Sequence, residues 1–173
     1  MKKTLVIFAH PYLEYSNSNV ELYNFYVRDQ HFTLRDLYEE YSDFHIAAFR
    51  ERKRLKDFDR IIFQFPMIWF GTPPLLKLWI EEVFDRGWLK EDAHNPLEGK
   101  EVYILVTTGG KESSFTKAGT YQYTVEELIS SLIVTLKVFK TDLKKVLVVY
   151  EANKLTKKEI ILQKQEFVKI LQQ

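Results

Sequence analysis

Short, almost uninterrupted apolar runs at residues 5–9, 60–65, 102–106 and 146–150 recur along the chain, with amphipathic helical patterns between them. Strands buried on both faces have this composition, whereas strands with one wet face alternate. A parallel sheet covered by helices on both sides is therefore expected. A weaker run at 32–37 alternates and reads as an edge strand. Three helix starts carry a capping box, Ser18 with Glu21, Thr124 with Glu127 and Thr156 with Glu159. The order βαβαβαβαβα predicts an α/β three-layer sandwich with right-handed crossovers. Five strands favour the order 2-1-3-4-5 over the six-stranded dinucleotide-binding arrangement. With 173 residues, the chain is read as one domain spanning 1–173, long enough to bury roughly 70% of its unfolded surface.

In that strand order a ligand sits outside the carboxyl ends of strands 1 and 3, where the winding reverses. Three loops should converge there. The first contains His10 and the polar run Ser16, Asn17, Ser18 and Asn19, which opens a helix. Main-chain amides, hydroxyls and the positive helix end then make an anion site, to which His10 adds a donor and, if protonated, charge. The plainer reading is that Ser16 and Ser18 cap the helix and His10 satisfies a backbone carbonyl. Neither the nucleoside-triphosphate loop nor the dinucleotide fingerprint occurs, and Gly109-Gly110-Lys111 does not replace them.

The second loop, Phe65-Pro66-Met67-Ile68-Trp69-Phe70-Gly71-Thr72-Pro73-Pro74, is apolar where loops are normally polar. Pro66 ends the strand, Thr72 is placed to cap, and Pro73 and Pro74 suit the first turn of a helix whose apolar face is Leu75, Leu76, Trp79, Ile80, Val83 and Phe84. Met67, Ile68, Trp69 and Phe70 suit a planar heteroaromatic ring; for Trp69 the competing reading is packing against the following helix. The third loop, Thr107-Thr108-Gly109-Gly110, lets backbone approach a ligand closely, although a tight turn explains it equally. A phosphate at one end and a flat ring at the other describe flavin mononucleotide.

Several ordered segments carry a family resemblance: Ala9-His10-Pro11, Ser16 with Asn19, Asp36-Leu37-Tyr38, Asp43-Phe44, Pro66 to Phe70, the Pro73-Pro74 helix start, Gly87-Trp88, Gly99-Lys100 and the Thr-Thr-Gly-Gly turn. The chain resembles, nearly end to end, the flavodoxin-like NAD(P)H:quinone oxidoreductases, in particular the short bacterial branch that includes ancillary subunits of potassium efflux systems. The resemblance implies that His10, Ser16, Asn17, Ser18 and Asn19 hold the flavin phosphate and ribityl chain. It implies that Met67, Ile68, Trp69 and Phe70 line the isoalloxazine, with Thr107, Thr108, Gly109 and Gly110 at its other edge. It further implies a homodimer with active sites at the subunit interface, which Trp88 and Tyr121 would serve. The larger animal enzymes use a tyrosine and a histidine beyond the double glycine, but here that stretch reads Lys111-Glu112-Ser113-Ser114-Phe115-Thr116. Phe115 cannot donate a proton, so Tyr121 or solvent is the expected acid. Little chain follows the fifth helix pattern, which tilts the expected cofactor to FMN over FAD.

The expected activity is ping-pong two-electron reduction of quinones or similar acceptors by NAD(P)H. Two alternatives stand beside it, a flavodoxin-type electron carrier and a flavin-bearing regulatory subunit of a membrane antiporter. Carriers of that type are strongly acidic, whereas this chain has 25 basic and 24 acidic residues. That balance also argues against a nucleic-acid surface. The cluster Arg50, Arg52, Lys53, Arg54 and Lys56 reads as a solvated helix face or, in the antiporter alternative, a docking patch. Without cysteine there is no thiol nucleophile, disulfide or thiolate metal site, and no metal is expected. Met1-Lys2-Lys3 precedes only a brief apolar run, so the expected location is cytoplasmic, peripheral at the membrane only through a partner.

Overall fold

A computed structural model describes residues 2–85, 87, 88 and 95–172. Its parallel sheet has five strands in the order β2-β1-β3-β4-β5. They are β1 (Thr4–Phe8), β2 (Phe32–Asp36), β3 (Arg60–Pro66), β4 (Glu101–Thr107) and β5 (Asp142–Val149). The helices are α1 (Asn17–Arg28), α2 (Leu37–Glu40), α3 (Ala48–Lys56), α4 (Pro74–Val83), α5 (Val125–Leu128), α6 (Ser130–Val138) and α7 (Lys157–Gln172).

Alternate strand residues feed two cores, as a period of two requires. Ile7, Ile61, Phe63, Ile104 and Val106 face Leu55 of α3, Leu76 and Trp79 of α4 and Leu136 of α6. Val6, Phe8, Ile62 and Leu105 face Leu22 and Tyr26 of α1 and Phe167 and Leu171 of α7. The predicted three layers and strand order are both observed.

The differences from the sequence reading lie at element ends. β5 begins four positions before the apolar run that marks it, because it is an edge strand whose Lys144 and Lys145 stay exposed. Its register slips opposite Val102 and Tyr103. Helix α1 is capped by Ser16, whose Oγ accepts from the Asn19 amide, and not by Ser18. Ser18 Oγ instead donates to the Ala152 carbonyl at 2.8 Å, while Glu21 pairs with Lys164 of α7 at 2.6 Å. The other two capping boxes form. Thr72 does not cap α4: Pro73 occupies that position with no side-chain bond, and Pro74 opens the helix.

The basic cluster on α3 is only partly solvated. Arg52 Nε and Nη2 donate to the carbonyls of Val83 (2.9 Å) and Glu82 (2.6 Å) at the end of α4, the negative end of that helix. Arg54 pairs with Glu51, which is wholly buried and also accepts from Arg35 of β2 (3.0 Å) and the Tyr41 hydroxyl (2.7 Å). Trp88, expected at an interface, is core and packs on Phe139 at 6.1 Å.

Asp36 closes β2 and caps α2 by accepting from the Tyr38 amide at 3.1 Å. Burial pushes its carboxyl from 3.8 up to about 6, against the opposing pull of backbone amides. Between those values the folded chain holds a proton that the unfolded chain has lost, so this group's contribution falls as pH rises from about 4 to 6. Asp36→Asn keeps the cap acceptor and removes the titration. Urea unfolding should show the variant and the parent equal near pH 4, with the variant ahead by about 1–3 kcal/mol at pH 7. A gap that does not widen with pH contradicts this origin.

Candidate functional site

Three loops meet at the carboxyl edge of β1, β3 and β4. In the first, Ser16 leaves the helical conformation at φ −118° and accepts from the Asn19 backbone amide at 3.3 Å. The amides of Asn17 and Ser18, in the first turn of α1, have no carbonyl partner among the described residues, as helix geometry dictates. His10 Nδ1 accepts from the Tyr12 amide at 3.1 Å, not the carbonyl contact weighed from sequence. Burial lowers the imidazole's pKa, the nearby Glu14 opposing. The neutral ring with its proton on Nε2 satisfies both facts, so His10 offers this site a donor without a full charge.

The second loop is a two-residue reverse turn. The amide of Ile68 donates to Gly71 (3.0 Å) and that of Gly71 to Ile68 (3.1 Å), with Trp69 and Phe70 between them at φ 43° and 65°. Both central residues thus hold the left-handed conformation of a type I′ turn, which normally takes Asn-Gly. Trp69 is 91% exposed, so the reading in which it packs on the next helix is wrong. Two strained positions carrying aromatic rings, one projecting into solvent, are a reservoir that functional sites hold and ordinary turns avoid. Met67 ties this loop to the third, its amide donating to the Thr107 carbonyl at 2.8 Å.

In the third loop Thr108 donates its amide to Val149 and accepts from the Ala152 amide, both at 2.9 Å, so the chain after β5 holds it from outside. Its two glycines serve different ends. A Cβ on Gly109 would come only within 4.0 Å of Asn153 Nδ2, leaving open space beside the backbone, whereas one on Gly110 would stand 2.7 Å from the Phe115 ring. Phe115 is 4% exposed and sits between Tyr121 (4.8 Å) and Tyr150 (5.9 Å). It is a core residue, so the position that breaks the family pattern lies behind the site. Tyr121 is partly exposed and bridges Phe115 to Phe70 of the second loop at 4.9 Å.

Behind these loops lies a buried polar chain unread from sequence. Tyr26 Oη donates to Gln64 Oε1 (2.7 Å), Gln64 Nε2 to Asn19 Oδ1 (3.1 Å), and Asn19 Nδ2 to both Ser16 Oγ and Thr107 Oγ1 (2.9 Å each). The signal was present: Gln64 is the one uncharged polar residue inside the run 60–65.

A family model described as flavodoxin-like fold matches residues 2–170. The chain belongs to this flavodoxin-like family. An uncharacterized NAD(P)H oxidoreductase of Bacillus subtilis, YrkL, is 41% identical over 77% of this chain and 76% of its own. Among solved structures, the general stress protein 14 of Treponema denticola in complex with FMN superposes at a TM-score of 0.85, with 27% identity over 98% of each chain. An NADPH-quinone reductase from P. pentosaceus does so at 0.83, with 26% identity over 95% of this chain and 96% of that one. A chain described as a thermophilic tryptophan halogenase reaches 0.89, with 32% identity over 98% of both.

The flavodoxin-like site fits a flavin mononucleotide on its own geometry. Unpaired amides and a neutral imidazole donor suit the phosphate, the open backbone at Gly109 suits a ring edge, and the projecting Trp69 suits a ring face. Among the described residues no group of His, Cys, Asp and Glu is arranged to hold a metal, and no helix is long and apolar enough to cross a membrane.

Proposed function

We propose that this protein is an FMN-dependent NAD(P)H oxidoreductase that reduces quinones or similar acceptors by two-electron transfer. The observation that carries the reading is the strained, solvent-facing Trp69-Phe70 turn together with the free Asn17 and Ser18 amides at the start of α1, at the winding reversal of the sheet. The named oxidoreductase, the quinone reductase and the FMN complex among its relatives agree with it. The halogenase description stays with that protein.

When bound, FMN would supply the redox chemistry, two-electron transfer from NAD(P)H to the acceptor. The chain's residues hold and orient. His10, the Ser16 hydroxyl and the amides of Asn17 and Ser18 take the phosphate end, with Asn19 fixing the turn from behind. Met67, Ile68, Trp69 and Phe70 take the ring, and Thr107, Thr108, Gly109 and Gly110 its other edge, where the Gly109 amide would stabilise negative charge while those of Thr108 and Gly110 are engaged by the Val149 carbonyl and Thr108 Oγ1. Tyr121, which packs on Phe70 of the ring-holding turn at 4.9 Å, would serve as the proton donor. The exposed aromatics Tyr12, Tyr15, Trp69 and Tyr123 support completion of the site by a second copy, a homodimer. A cytoplasmic location follows from the NAD(P)H donor.

Steady-state oxidation of NADPH or NADH by the FMN-loaded protein with a soluble quinone tests the reading. Turnover is expected, and a single stoichiometric reduction without turnover would mark an electron carrier instead. Tyr121→Phe keeps the ring between Phe70 and Phe115 and removes the hydroxyl. It should lower kcat by about tenfold with flavin affinity unchanged; an unchanged kcat assigns the proton to solvent.

A further inference from the structure

The buried chain behind the loops has a direction, and Tyr26 sets it. Tyr26 lies on α1 with its ring in the core and its hydroxyl against Gln64. Burial raises its pKa well above that of free tyrosine, so the phenol keeps its proton at any working pH. Gln64 Oε1 is the acceptor of that proton. This choice turns the Gln64 amide so that Nε2 donates to Asn19 Oδ1, which leaves Asn19 Nδ2 to donate twice, to Ser16 and Thr107. Ser16 Oγ then accepts from two N–H groups, Asn19 Nδ2 at 2.9 Å and the Asn19 backbone at 3.3 Å. Its own proton is left over, and no acceptor among the described residues takes it.

If both amides were reversed, Ser16 would donate inward to Asn19 and the Tyr26 proton would be buried with no acceptor. Buried donors are not left unpaired without cost, so the tyrosine selects the first arrangement.

We propose that Tyr26, through Gln64 and Asn19, is a positioning residue that holds the Ser16 hydroxyl as a donor toward the phosphate of the bound flavin. The inference rests on the reading above, in which the phosphate lies at the Ser16 turn. It adds that the turn's donor sense is imposed from a residue in the core that touches no ligand. Thr107 Oγ1, the other end of the fork, ties the same amide to β4.

The test is binding of FMN and of riboflavin, which lacks the phosphate, to the apo-protein by quenching of flavin fluorescence. Tyr26→Phe preserves the ring and removes the hydroxyl. It should weaken FMN by about tenfold while riboflavin changes by less than about twofold. Gln64→Met interrupts the same chain one link on and should show the same selective loss. The double variant should lose no more than either single one, since all three break one path. FMN affinity unchanged in both single variants overturns the proposal. So does an equal loss for FMN and riboflavin, which marks a packing role. Ser16→Ala separates the two claims. If it leaves FMN binding unchanged, the phosphate is not at this turn and the reading beneath fails; if it weakens FMN while Tyr26→Phe does not, only the relay fails.

Discussion

Trp69→Asn is expected to make the protein more stable and worse at its function. Trp69 sits at φ 43° and is almost wholly exposed, so its removal forfeits no packed contact. Asparagine enters the left-handed region far more readily than a bulky aromatic residue and is the favoured first central residue of a type I′ turn. The backbone relief is worth about 1 kcal/mol, or about 2–4 °C in Tm for a chain of this length. Losing the indole as a ring platform should lower flavin affinity or turnover by about tenfold. Calorimetry of the apo-protein and flavin titration read the two sides separately. Stability and function falling together would mean that Trp69 packs in the monomer, and function unchanged would remove it from the site.

The second large effect is away from the ligand. Glu51→Gln should destabilise the fold by about 3 kcal/mol, since one carboxylate faces Arg35, Arg54 and the Tyr41 hydroxyl without exposure of its own. Arg35 retains Glu40, which moderates the loss; among the described residues Arg35 Nε and Glu51 Oε2 have no partner, so the bonds from Arg35, Arg54 and Tyr41 all fall on Glu51 Oε1. The expected fall in Tm is about 6–12 °C. The site should be spared, because α3 reaches α4 through Arg52 at the end opposite the Trp69 turn. Flavin affinity measured well below the melting range should match the parent. A loss under about 0.5 kcal/mol would show that the cluster contributes no net stability.

What the sequence made legible divides along the same physical line. The central strands announced themselves because burial on two faces removes polar residues from them, and the sheet order followed from their number and spacing. β5 was half visible: at an edge, Lys144 and Lys145 face solvent and break the apolar run. Ser16 and Ser18 both stand where a cap would serve, and only the approach of Ala152 shows that Ser18 is taken by a tertiary bond. Trp69 was legible as a ring candidate but left open to packing on the next helix, because hydrophobicity implies burial unless the backbone forbids it, and a positive φ is not written in composition. Glu51 went unread within the basic run 50–56, since its partners come from β2 and from the segment after α2. The three converging loops were legible as a set; the wiring from Tyr26 to Ser16, which depends on three-dimensional contact, was not.

The central claim, that these loops form a working flavin site, is tested most directly by the visible spectrum of the purified protein supplied with FMN. Under anaerobic conditions, one equivalent of NADPH or NADH should bleach the bound yellow chromophore, and one equivalent of quinone should restore it. A protein that stays colourless and takes up no added FMN would contradict the account.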